Sequence, residues 1–298
     1  MFLNLLYRHR QPISLIRLHN LMFLFITSAA HAYYDFIPHT YGCYSISLHN
    51  DQEALIKQNV VIEARGDSRF NSFLSVDNQR AELDSILLKD EDSAVLDTLI
   101  GKNEHQTDDD LLARVLKTYP FYAIRSLLLD RFSSDQVFIS TIQAIRDHVT
   151  SAPRFLYTIG YEGLSIDGFL QLLILQNITT LVDVRKSAFS MRPEFRKKNL
   201  EAALSEAGIQ YYPMPEVGIP ATSRKELLPL GRGDLLTWYV DTTLPTCEKY
   251  ASVVAALVAK ANIALMCYEK DPKDCHRSSF AEYCQRMHPA IPGIKHLG

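Results

Sequence analysis

The side chains able to do chemistry gather in three short stretches of the second half of the chain. Tyr161 and Glu162 lie between two glycines, and Asp183 and Arg185 close an apolar run and are followed by Ser190, Arg192 and Phe195. Later, Tyr268 and Glu269 precede Cys275, His276 and Arg277, and Glu216 lies on the segment between these last two stretches. Paired carboxylates can activate a water or stabilise an oxocarbenium-like transition state. Guanidinium groups clamp phosphate through paired hydrogen bonds. Aromatic rings stack an extruded base. These parts point to cleavage of an N-glycosidic bond, with Asp183, Glu269 and Glu216 as candidate catalytic carboxylates. Tyr161, Glu162, Arg185, Ser190, Arg192, Phe195, Tyr268, Cys275, His276 and Arg277 are then the candidate substrate-binding groups. A regulator that binds a nucleotide without breaking a bond would use the same residues.

Each group also has a plainer reading. Asp183 at a strand end can simply pair with a neighbouring arginine, and Cys267 closing an apolar strand is more often packing than nucleophile. Cys275-His276-Arg277 opens a helix, where backbone N–H groups favour a thiolate or a bound phosphate. Cys267, Cys275 and His276 are metal-ligand types, but no fourth ligand has recognisable spacing. The sequence therefore leads to an expectation of no metal and no cofactor.

The elements that must position these groups begin near Phe155. Near-continuous apolar runs at 155–160, 180–185 and 262–267 alternate with helical segments at 165–176, 199–207, 250–261 and 278–286, and 210–214 reads as extended. That alternation predicts a parallel sheet covered on both faces, with ligands beyond the carboxyl ends of its strands. The expected fold class is α/β, a Rossmann-like parallel-sheet C-terminal domain (153–298) preceded by a mostly helical, winged helix-turn-helix-like N-terminal region. Within the latter, 1–80 is the nucleic-acid-binding module and 81–152 a helical connector.

In the N-terminal module, Ser14 caps a helix running to about Ala30, and a second helix candidate spans 45–58 before the β-rich Val60–Glu63. A winged helix has this order. On that reading the recognition helix begins around Tyr41 to His49, with Tyr41, Ser45, Ser47, His49 and Asn50 as candidate DNA contacts. A small helical bundle with an aromatic core fits the same pattern. The acidic run Asp108–Asp110 reads as helix N-terminal charge.

The chain has 298 residues, 47% hydrophobic and 22% charged, with a net charge of −3, so any basic binding face is local rather than global. Five cysteines form no disulfide pattern and suit a reducing compartment. Leu21–Ala30 is too short to span a bilayer, and a cytoplasmic protein without membrane association is expected, with DNA as partner and a homodimer as one possible assembly.

Several motifs resemble a bacterial family, the domain of unknown function numbered 488. They are Thr158–Gly163, Leu181–Arg185, Pro215–Ile219, and Cys267-Tyr268-Glu269 with Cys275-His276-Arg277, in that order. Asp35–Pro38, Tyr41–Ser45 and Tyr119–Ser126 resemble the module fused to that domain in many bacteria. The resemblance implies a Rossmann-like fold and a DNA-directed role in genome defence or modified-base metabolism. The late motif departs from the family in that Arg277 is followed by Ser278-Ser279. A rhodanese-like sulfur transferase is a weaker match, because Glu269 and Asp271 after Cys267 would repel an anionic substrate.

Overall fold

The computed structural model describes residues 1–65, 72–77, 88–151 and 153–298. The expected boundary at 80/81 and linker residue Ala152 lie outside them. The chain divides into two compact units, Met1–Asp147 and His148–Gly298.

The first unit opens with α1 (Phe2–His9), β1 (Ile13–Ser14) and α2 (Leu15–Ile26). The Ser14 side chain accepts from the Arg17 N–H and caps α2. The helix stops short of Ala30 because buried Asp92 accepts from the Ala30 N–H at 3.0 Å, His31 at 2.8 Å and the Tyr33 hydroxyl at 2.7 Å, drawing the chain off the helical path. A hairpin follows, β2 (Ile37–His39) and β3 (Gly42–Tyr44), turning at Thr40-Tyr41 into Gly42, whose φ is 102°. Tyr41 therefore sits in a hairpin turn and not on a helix.

Helix α3 (Ile46–Lys57) starts after Ser45, whose hydroxyl accepts from the Leu48 N–H inside the fold. Ser45 is fully buried, so its side chain belongs to the helix cap and cannot reach a nucleic acid. Ser47 and His49 are half-buried, and Asn50 is exposed. Strands β4 (Val61–Ala64) and β5 (Phe73–Val76) pair antiparallel, and β5 also pairs with β1.

Helices α4 (Asp90–Asn103) and α5 (Asp108–Thr118) were expected as a connector. They share one core with the preceding elements, because Leu96, Leu111 and Val115 pack with Leu5, Leu18, Phe25, Leu48 and Leu74. The acidic run is accounted for locally. Asp110 completes a capping box with Thr107, Asp108 pairs with Arg17 at 2.6 Å and Asp109 pairs with Arg131. Helix α6 (Gln136–Thr150) leads to the second unit.

That unit is built on five parallel strands: β6 (Leu156–Gly160), β7 (Ile178–Asp183), β8 (Gln210–Pro213), β9 (Asn262–Cys267) and β10 (Ile294–Leu297). Their spatial order is β10-β6-β9-β7-β8. Every residue of β6 and β9 is buried, the pattern of strands covered on both faces. Helices α7 (Ile166–Leu175), α8 (Lys197–Glu206), α11 (Glu248–Val258) and α12 (His276–Met287) join them, while α9 (Ala221–Leu227) and α10 (Arg232–Trp238) follow β8. No described helix is long and apolar enough to cross a membrane.

Register places the chemistry. Gly160 pairs with Cys267 and Asp183 with Met266, so β6, β7 and β9 end level with one another. Their carboxyl ends form one edge of the sheet, where a parallel sheet offers its ligand crevice.

Candidate active site

At the end of β7 the polar groups close on one another. Asp183, 2% exposed, accepts from the Arg185 backbone N–H at 3.1 Å and from its Nε at 2.9 Å. Its other oxygen accepts from an Arg185 terminal nitrogen and from the Tyr211 hydroxyl, both at 2.7 Å. Arg185 spends its remaining reach on the Tyr161 hydroxyl at 3.0 Å and the Phe195 carbonyl at 3.1 Å. Burial works against the charge on Arg185, but its bonds and attraction to Asp183 outweigh that and raise its pKa. Burial, then Asp183, likewise pushes the Tyr211 phenol up. The pair is saturated. Asp183 has no lone pair directed at a substrate, and Arg185 fixes the loop after β7 where a phosphate clamp was expected.

Arg277 is corrected in the same way. It is 0% exposed, and its guanidinium donates to the Glu269 carbonyl, to the Lys270 carbonyl at 3.0 Å and to the Thr158 hydroxyl at 3.4 Å. Glu162 accepts from the Lys270 N–H at 2.9 Å and braces the same loop. Gly160 lets this loop lie against β6, since a Cβ there would stand 1.8 Å from the Glu269 carbonyl oxygen. Glu216 is exposed on the turn Pro215–Val217 and does not line the cavity.

At the end of β9 the arrangement is different. Cys275 caps α12 and His276 is its first residue. The His276 Nε2 lies 3.0 Å from the Val184 carbonyl, which can only accept, so this nitrogen carries the proton and a neutral ring turns its Nδ1 lone pair inward. That Nδ1 lies 3.7 Å from the Cys267 Sγ, and the Cys267 thiol donates to Glu269 Oε2 at 3.2 Å. Arg224 on α9 reaches Glu269 Oε1 at 3.3 Å. Burial works against ionisation of Glu269, yet bonds from the Cys275 and Cys267 thiols, with its own backbone N–H and Arg224, hold its pKa at about 2. Burial pushes the Cys275 thiol up, and contact with Cys275 raises His276 despite its burial. A thiol, an imidazole and an orienting carbonyl in this relation are the parts of a nucleophile and its base.

A cavity of about 440 Å³ opens onto this cluster. Cys267 and His276 line it with Tyr161, Tyr268, Phe189, Met191 and the cations Lys186, Arg192 and Arg224. Of the expected site, Tyr161, Arg185, Ser190, Arg192, Tyr268 and His276 reach the lining, while Glu162, Asp183, Phe195, Glu216, Glu269, Cys275 and Arg277 stand outside it. Phe195 stacks beneath Tyr161 at a centroid distance of 4.2 Å and supports that ring from the core. Ser190 takes the Arg192 N–H at 3.1 Å, and Arg192 chelates Glu194 at 2.7 Å while covering the Phe195 ring. Phe189 and Met191, 65% and 84% exposed, stand at the rim.

Arg224 was missed from the sequence. Its only signal was a cation on the first helix after β8, which begins at Ala221 after Pro220.

Residues 165–284 match the family model described as Domain of unknown function DUF488. No curated protein and no solved structure matches the chain.

Proposed function

We propose that the DUF488 domain of this chain is a hydrolytic enzyme acting on a nucleobase or nucleotide, brought to DNA by the N-terminal unit. One observation carries the reading: the cavity beyond the strand ends is lined by ring faces and cations and by no carboxylate, with reactive groups at its floor. Tyr268, 43% exposed and held edge to face against the buried Tyr161 at 5.3 Å, gives a planar ring a surface to rest on. Lys186, Arg192 and Arg224 suit an anionic substrate. For N-glycosidic cleavage, Glu269 stands one layer behind the lining, where it accepts from the Cys267 thiol and from Arg224 and would act through them, and Asp183 passes to a positioning role.

The DNA-directed part leans on element order in the first unit. Helix, strand and helix, then a third helix after the interposed β2–β3 hairpin, lead into an antiparallel pair that the first strand joins. Against a strong phosphate grip, the exposed residues Asn50, Asp51, Ala54 and Lys57 of α3 include a single cation.

Incubation with plain and base-modified DNA and with free nucleotides, read by mass spectrometry, tests the proposal. Release of a base or a mass-shifted nucleotide is expected, and Glu269→Gln should abolish it. Salt-dependent DNA binding with no product from any substrate would instead identify a regulator that reads DNA without cutting a bond.

A further inference from the structure

We propose that Cys267, Cys275 and His276 form a binding site for one divalent cation of the zinc class, with the fourth coordination position open to the cavity. The two thiol sulfurs and an imidazole nitrogen all lie within 4.8 Å of one another, and all three residues are buried. Zinc bonds of about 2.3 Å to sulfur and about 2.0 Å to nitrogen make a tetrahedral S-to-N edge of about 3.5 Å. The Cys267 Sγ to His276 Nδ1 separation of 3.7 Å is close to that edge without any rearrangement.

The supports are those a metal ligand needs. His276 Nε2 is tied to the Val184 carbonyl, which fixes the tautomer that offers Nδ1. Cys267 sits at the end of a fully buried strand, and Cys275 and His276 at the start of a helix, so the donors stand on rigid elements. Arg277 is held by the Glu269 and Lys270 carbonyls and fixes the loop between them. Glu269 is hydrogen-bonded to the Cys267 thiol but lies outside the three-atom group, which leaves it as a partner beside the site.

Two sulfurs, one nitrogen and an open place facing a cavity describe a catalytic site more than a structural one, since structural zinc is closed by four protein ligands. Binding replaces two thiol protons, which pass to solvent, by one dication, with no change of oxidation state. The cation would supply Lewis acidity toward a water in the cavity. That role rests on the hydrolase reading above, whereas the ligand geometry stands apart from it.

The test uses the full chain, reduced and stripped by chelation, then titrated with Co²⁺ as an optical substitute for zinc. A thiolate-to-cobalt charge-transfer band saturating at one equivalent per chain is expected, bleached by Zn²⁺. Cys275→Ser and His276→Gln should each weaken binding at least tenfold, and Cys43→Ser in the other unit should leave the band unchanged. X-ray absorption of the zinc-loaded wild type needs no variant and should report two sulfurs and one imidazole nitrogen. No band from folded, reduced wild type would overturn the site, as would a band undiminished in the Cys267→Ser/Cys275→Ser double variant or a shell without sulfur. Metal binding without product from any nucleic acid leaves the site standing and defeats the hydrolase reading. Product from the metal-free protein leaves the hydrolase reading standing and removes the cation from it.

Discussion

Two buried polar clusters sit at the same edge of one sheet and differ in what they leave open. At the end of β7, Asp183, Arg185, Tyr211 and Tyr161 satisfy one another, and Asp183 is sealed away from the cavity. At the end of β9, Cys267 and His276 face the cavity, and their partners are a carboxylate and a backbone carbonyl behind them. Perturbed, buried charge is common to both and does not by itself mark a catalytic group. What separates them is whether a donor or acceptor remains directed at open space.

The largest expected effect belongs to the closed cluster. Asp183→Ala leaves a buried guanidinium without its partner and should cost about 3–5 kcal/mol in denaturant unfolding. A cost near that of an ordinary surface substitution would erase the contrast. Gly160→Ala comes next, because its Cβ would meet the Glu269 carbonyl at 1.8 Å. Relief by backbone shift should cost about 1–3 kcal/mol in thermal or chemical unfolding and move Glu269 away from Cys267. An unchanged midpoint would mean that the loop is not held as described.

Tyr268→Ala acts on the open cluster. The ring is 43% exposed, so stability should barely change, while affinity for a nucleotide should fall by about 1–3 kcal/mol in a calorimetric titration. Equal affinity for variant and wild type would remove the stacking role.

The smallest effect lies in the first unit and tests the closed type of carboxylate elsewhere. Asp92 accepts from Tyr33, and with the further bonds from Ala30 and His31 its pKa is lowered despite burial. A lowered folded pKa contributes stability that is present above the unfolded value of about 3.9 and lost as pH falls through the folded one. Unfolding measured between pH 5 and about pH 2 should therefore show part of the acid loss disappearing in Asp92→Asn. An unaltered pH profile would contradict the assignment.

The parallel sheet was legible because β6, β7 and β9 are long apolar runs that need no context. Strand β10 was not, since Ile-Lys-His-Leu at a sheet edge buries little, and its pairing with β6 comes from distant sequence. The region of α9 and α10 was also unread, having short helices without a sustained apolar period.

The site was found as a neighbourhood and misassigned in its roles. Asp183 looked like a reactive carboxylate because its partner Tyr211 lies on the adjacent strand and Arg185 folds back on it, facts of register rather than spacing. Cys267 looked like packing, because nothing in a nine-residue separation says that His276 returns to meet it. In the N-terminal unit the helix cap at Ser14 and the N-terminal charge of Asp108–Asp110 were readable from local chemistry. The hairpin that occupies Tyr41 and buries Ser45 depends on a glycine turn that the helical reading passed over.

The most direct measurement compares product formation by wild type and Cys267→Ser, followed by mass spectrometry across DNA and nucleotide substrates, with both proteins shown to be folded. Chemistry at the open cluster requires product from wild type and a loss of about 10²–10⁴-fold in the variant. No product from wild type, or product undiminished in Cys267→Ser, would contradict it.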